Sequence, residues 1–164
     1  NILVMKRTLK LRNSKIVMFI SVFVISLSFF GQGNLDDKAD LSVVRTHEDK
    51  DLQWGPCPSF MPEGCSISVL HGDPAKNNVD VFFKVPANYE IPAHSHTSAE
   101  RMILVSGELH VTYEGETEQI MKVGSYAFGP STKPHTAKCG DKDPCVLFIA
   151  FEEPLDAFPM VLKK

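Results

Sequence analysis

The stretch that decides the reading is PAHSHTSAERMILVSG, residues 92–107. His94 and His96 stand two residues apart, Glu100 follows four residues after the second, and an apolar run ends at Gly107. On an extended strand this spacing sends both imidazoles to one side and Ser95 to the other. Glu100 sits where the apolar run begins, so its carboxylate can turn into the same space. A third imidazole is available from His135, which follows GPSTKP at the start of a late strand. Three neutral ring nitrogens and one carboxylate suit a divalent Mn, Fe, Ni, Cu or Zn ion and leave one or two coordination positions open. Open positions are a property of catalytic metal sites; structural ones are closed. The alternative is a hydrogen-bonded polar cluster that takes no ion, but burying such groups uncompensated costs several kcal/mol.

Outward from this stretch the pattern is β throughout. SISVL (66–70), VDVFFKV (79–85), RMILVSG (101–107), ELHVTYEG (108–115), EQIMKV (118–123), SYAFGP (125–130), HTAKC (135–139) and CVLFIAF (145–151) read as strands. The turn signals HGDPAKNN, EGET, STKP and GDKDP separate them. Alternation assigns faces: Val79, Val81, Phe83 and Val85 share one, and Leu109, Val111 and Tyr113 share another. RMILV and CVLFIAF are apolar on both faces, which requires cover outside by a second sheet or another subunit. No segment carries a sustained helical period. Many short strands of this kind predict an all-β sandwich or barrel.

The chain of 164 residues carries a net charge of −3 that hides an asymmetry. Lys6, Arg7, Lys10, Arg12 and Lys15 precede the first acidic residue, Asp36, so residues 34–164 hold 12 basic against 20 acidic side chains. An acidic body argues against nucleic acid as a partner. The basic cluster is followed by IVMFISVFVISLSFF, residues 16–30, and by Gly31-Gln32-Gly33. A basic start, an apolar centre and small residues at a cleavage point are the parts of a secretory signal. The expectation is a signal peptide over 1–33 with its start at Met5, residues 1–4 lying upstream. A polar tether follows over 34–51, or a loosely attached first strand around SVV (42–44), and the folded domain over 52–164. The protein is then periplasmic or secreted and meets a membrane only through the signal segment; about 20 apolar residues would be needed to span one.

Export to an oxidising compartment changes the reading of the cysteines. Cys57 and Cys65 bracket PSFMPEG, and Cys139 and Cys145 bracket GDKDP. Four cysteines allow three pairings. Proximity favours 57 with 65 and 139 with 145, four free thiols being the alternative.

The residues HSHTSAERMILVSG resemble the first motif of the cupin superfamily, with His94, His96, Glu100 and Gly107 matching in type and spacing. GSYAFGPSTKPH resembles the second, with Gly124, Pro130 and His135 in place. The likeness runs from about Trp54 to the C-terminus. It is nearest to small single-domain bacterial metal-binding cupins of the cupin type-2 and anti-sigma-factor-like group. Three positions depart from the motifs. Asn88 and Thr132 stand where glycines are usual, and Cys139 replaces an asparagine. Asparagine tolerates a left-handed backbone, whereas threonine is expected to alter its turn without moving His135 out of reach. A Cys139–Cys145 bond would stand in for the missing amide.

The resemblance implies a double-stranded β-helix, or jelly-roll, whose metal ligands are His94, His96, Glu100 and His135. Two functions follow as expectations. One is a metal-dependent enzyme, dioxygenase-like or of other small-molecule chemistry, with Glu100 doubling as general base. The other is a non-catalytic module that captures a small ligand or a metal. Tyr89, Met102 and Tyr126 are expected at the pocket mouth or in the core. His47, His71, Arg101, Glu108 and His110 are expected to be solvated. The C-terminal AFPMVL should cover a sheet edge or exchange across a homodimer.

Overall fold

The computed structural model describes residues 41–162, and among them are eleven strands and no helix. They are β1 (Gly55–Pro56), β2 (Ser66–His71), β3 (Val79–Val85), β4 (Glu90–Ser95), β5 (Glu100–Ser106), β6 (Glu108–Tyr113), β7 (Gln119–Lys122), β8 (Tyr126–Gly129), β9 (His135–Cys139), β10 (Cys145–Phe151) and β11 (Phe158–Pro159). The signal-segment expectation over 1–33, and the tether as far as residue 40, lie outside the described residues.

The strands form two antiparallel sheets, ordered β1-β2-β3-β10-β5-β8 and β11-β4-β9-β6-β7. This is the all-β jelly-roll that the motifs imply. Alternation explains its core. Val79, Val81 and Phe83 of β3 meet Met102 and Leu104 of β5 and Leu147, Ile149 and Phe151 of β10 in one buried cluster. The second sheet adds Ile91, Leu109, Val111, Tyr113 and Ala137 to it. Each large apolar side chain so buried contributes roughly 1.5–3 kcal/mol, which is why the two inner faces lock in register.

The strand that carries the site was not among the sequence's strand candidates. β4 contains Pro92, which cannot donate to a ladder, and its pairing with β9 shifts between Ile91 and His94. Prolines in sheets are confined to edges and bulges, and here a bulge accommodates one. For β10, where the sequence calls for cover by a second sheet or another subunit, part of the outer cover comes from within the chain. Phe82 and Val146 point outward yet are buried. The segment 43–48 shares a groove with Leu70, Phe82 and Phe148, so part of the presumed tether lies on the sheet. Ser42–Val44 form no strand; instead Thr46 and Asp49 close a turn through two hydrogen bonds of 3.1 and 2.6 Å.

The departures from the motifs are resolved by backbone geometry. Asn88 holds φ 61° and Thr132 φ 61°, so both keep the left-handed conformation that a glycine would take. Thr132 therefore accepts strain where an altered turn was expected. Its amide donates to the His96 carbonyl at 2.8 Å, tying the two site loops together. Gly107 is required twice over: φ is +81°, and a Cβ there would lie 2.9 Å from the Cys145 sulfur. Both disulfides join sequence neighbours, Cys57 to Cys65 and Cys139 to Cys145. The end of the chain covers an edge, Phe158 and Pro159 pairing with Ser95 and His94.

Candidate metal centre

Three elements deliver the histidines. β4 carries His94 near its end, the turn after it carries His96, and His135 opens β9 directly opposite His94. Glu100 opens β5 on the other sheet. All four are buried, with exposures of 5, 9 and 5% for the histidines and 3% for the carboxylate. His94, His96 and His135 offer ring nitrogens that lie within 4.8 Å of one another. The His94 and His135 rings are 4.2 Å apart between centroids, and His94 meets His96 edge-on at 4.9 Å.

The outer nitrogen of each ring is fixed by a main-chain carbonyl. His94 Nδ1 is 2.8 Å from Pro92 O, His96 Nδ1 is 2.5 Å from Asp156 O, and His135 Nδ1 is 3.3 Å from Lys133 O. A carbonyl only accepts, so Nδ1 donates in each pair and Nε2 keeps its lone pair. Metal-bound histidines are oriented in this way. The carbonyl of Pro92 is in place because the bulge in β4 turns it out of the ladder.

Glu100 faces two of the three rings. Its Oε1 lies 3.3 Å from His96 Nε2 and its Oε2 3.6 Å from His135 Nε2. His96 Nε2 is nevertheless buried without a hydrogen bond. A lone pair facing a carboxylate oxygen needs a proton or a cation between them. Burial, reinforced by His96, lowers the pKa of His94 to about 4. Burial, with His94 and His96 adding to it, lowers that of His135 to about 3. Both rings are therefore neutral near pH 7, as ligation requires. Burial pushes the Glu100 carboxyl up, with His96 pulling partly against it. The orphaned nitrogen, the locked tautomers and the three-histidine cluster fit a divalent transition ion, while Glu100 stands outside that cluster beside two of its rings.

The site opens into a cavity of about 340 Å³ between the sheets, lined in part by Phe83, Met102, Leu147, Ile149 and Phe151. Met102 thus lies where a pocket residue was expected. Tyr89 packs in the core, the other place expected for it, donating to Pro62 O at 2.5 Å, whereas Tyr126 is exposed. His110 rests between Glu108 and Glu118 at 3.3 and 3.1 Å, which raises its pKa. Arg101 pairs with Glu152 on the surface.

Three neighbours of the site were not singled out from the sequence. Tyr113 lies opposite His135 in the ladder, its ring 4.9 Å away; face parity had placed it inside, but not beside a ligand. Gly129 pairs with Glu100 across β5 and β8. Asp156 comes from a loop about 60 positions beyond His96, and no sequence signal points to it.

The sequence profile of the ChrR cupin-like domain matches residues 43–154. The chain belongs to this cupin family. The match begins inside the presumed tether, consistent with that segment lying on the sheet. A comparison with curated proteins finds no match. Among solved structures, the cupin is similar to the polyketide cyclase RemF from Streptomyces resistomycificus, at 19% identity and TM-score 0.60, over 75% of this chain and 89% of that one. It is also similar to the DMSP lyase DddQ from Ruegeria pomeroyi, at 21% identity and TM-score 0.56, over 68% of this chain. It spans only 61% of that lyase, and 63% of the chain in a second DMSP lyase structure. An RmlC-like cupin from Shewanella frigidimarina matches at 20% identity and TM-score 0.53, over 64% of this chain and 86% of that one. At these identities the likeness establishes the fold.

Proposed function

We infer that this cupin is an exported divalent-metal protein that acts on a small molecule, with His94, His96 and His135 holding the ion through Nε2 and Glu100 as the fourth ligand. The observation that carries this is the set of three Nδ1-to-carbonyl contacts around one buried nitrogen cluster. Nothing in β-sheet packing calls for three imidazoles locked in one tautomer. When bound, the ion would polarise a substrate oxygen as a Lewis acid. The remaining work falls to the chain. The apolar walls exclude water, His94 and His135 stay unprotonated, and Glu100 holds or accepts a proton beside the reacting oxygen. Glu100 can do so once its bond to the ion loosens, being the carboxylate that faces the His96 and His135 rings.

Solved relatives of this fold described as a lyase and a cyclase support an enzyme acting on a small molecule. A second reading, a binding module without turnover, is favoured by one observation. Beyond the cluster the only ionisable side chain on the cavity wall among the described residues is Asp156, whose Oδ1 already accepts from the Thr97 amide at 2.9 Å. Export is carried by the basic and apolar N-terminal sequence. A homodimer is supported by Tyr126 and Phe128, 61 and 50% exposed on the β8 edge.

Elemental analysis of the purified protein tests the central claim. Near-stoichiometric Mn, Fe, Ni, Cu or Zn is expected, and loss of that metal in His94→Ala and in His135→Ala. Full occupancy in both variants would refute the ligand set. Turnover that persists in Glu100→Gln at wild-type metal content would remove Glu100 as the base.

A further inference from the structure

Resting on the metal reading for the identity of its polar end, we propose that the pocket binds monopolar small molecules: one oxygen-donor head directed at the histidine cluster and an uncharged apolar body. The cavity of about 340 Å³ is at the small end of small-molecule sites. Among the described residues, and apart from His94, His96, His135, Glu100 and Asp156, every residue that lines it is apolar or a disulfide cysteine. Among the described residues the wall has no lysine or arginine, and no hydroxyl or amide side chain. Asp156 is spent on the scaffold, its carbonyl accepting from His96 and its carboxylate from Thr97. Polar recognition is therefore confined to one end.

This arrangement discriminates by charge and by length. A divalent ion with one carboxylate ligand leaves a net positive centre, which favours a single anionic or neutral oxygen head. A second charge on the far end of the ligand would lose its water and find no partner, weakening binding on the order of a hundredfold. Each methylene laid against Phe83, Leu147, Ile149, Leu109 or Val111 should instead tighten binding about fourfold. The wall is preformed. The segment carrying Cys57, Pro58 and Met61 is closed by the Cys57–Cys65 bond and anchored by the Tyr89 hydroxyl on Pro62, so little ordering cost is left for the ligand.

The test uses three hydroxamates with the same chelating head: acetohydroxamate, hexanohydroxamate and adipic monohydroxamate. Binding to the metal-loaded protein is measured by calorimetry. Hexanohydroxamate should bind at least tenfold tighter than acetohydroxamate and about a hundredfold tighter than the adipic compound. An adipic affinity within threefold of the hexanoic one, or no gain from the longer chain, overturns the proposal. The series is repeated on His135→Ala. Weaker binding there with the same order of the three ligands supports both readings. Unchanged affinities with that order remove the metal reading and leave the apolar pocket standing. Leu155→Lys, at a half-buried position of the wall, should raise the adipic affinity at least tenfold; no change would place the alkyl chain elsewhere and overturn the proposal.

Discussion

Gly129→Ala is the sharpest probe of how the fold holds Glu100. Gly129 does not occupy a left-handed conformation, so alanine meets no backbone objection. The added Cβ would instead lie 2.5 Å from the Tyr113 hydroxyl, 2.9 Å from Glu100 Oε2 and 3.3 Å from Tyr113 Cζ. Neither neighbour can swing into solvent, because Tyr113 is 7% and Glu100 3% exposed. Overpacking of this kind costs about 1–3 kcal/mol. For a domain of this size that lowers the midpoint of thermal unfolding by roughly 3–10 °C. If Glu100 yields, metal affinity should also fall, by about 10–100-fold as for other disturbed ligand shells. Tyr113→Phe is the matched control. The hydroxyl is buried without a hydrogen bond, so its removal should change stability by less than about 0.5 kcal/mol, where loss of a made bond costs about 1 kcal/mol. In the double variant it should return at least half of the lost stability, since the two sites touch. Calorimetric unfolding of the four proteins with and without metal reads the cycle. A Gly129→Ala protein that melts with the wild type, or one that Tyr113→Phe fails to rescue, would refute this placement of Glu100.

Three further outcomes are expected. Replacing Cys57 and Cys65, or Cys139 and Cys145, by serine pairs should each cost about 2–3 kcal/mol in urea unfolding, as loops of separation 8 and 6 lose their closure; reducing agent without effect on the wild type would count against both bonds. Metal-free protein should lose stability as pH falls below 6.5 toward 4 and 3, because His94 and His135 hold their pKa values at about 4 and 3 when folded and bind protons near 6.5 when unfolded. Each contributes a slope of up to about 1.4 kcal/mol per pH unit there. Glu100, raised from 4.5, acts in the opposite direction but as one group against two; a stability flat between pH 6.5 and 4 would exclude buried neutral histidines. Thr132→Gly should stabilise by roughly 0.5–1 kcal/mol, the left-handed penalty of 1–2 kcal/mol less the entropy of a new glycine; a lower unfolding midpoint would mean that Thr132 is unstrained.

The sequence made the strands legible where one rule governed them. VDVFFKV, HTAKC and CVLFIAF occupy β3, β9 and β10 with the same ends, because alternation and flanking turns agree. The three histidines were legible because the i, i+2 spacing sets His94 beside His96 and the resemblance to the second cupin motif adds His135; the first motif's carboxylate, Glu100, lies beside two of them. What supports them was not legible. The groups that orient the rings are the carbonyls of Pro92, Lys133 and Asp156, and a carbonyl is common to every residue. Parity put Tyr113 on one face with Leu109 and Val111, but did not tell that it would lie against His135. Nor could it show that residues 43–48, polar as a whole, lie over Phe82.

The positions that break local rules are the ones that build the site. Proline is out of place in a strand, yet Pro92 sets the bulge whose carbonyl holds His94. Threonine resists a left-handed backbone, yet Thr132 takes one and ties the His135 loop to the His96 carbonyl. A carboxylate resists burial, yet Glu100 begins a core strand facing two imidazoles. Each violation alone costs on the order of 1–3 kcal/mol, and each bears on the same cluster of nitrogens. Such costs are tolerated where function requires them, and all three converge on the buried cluster of His94, His96 and His135.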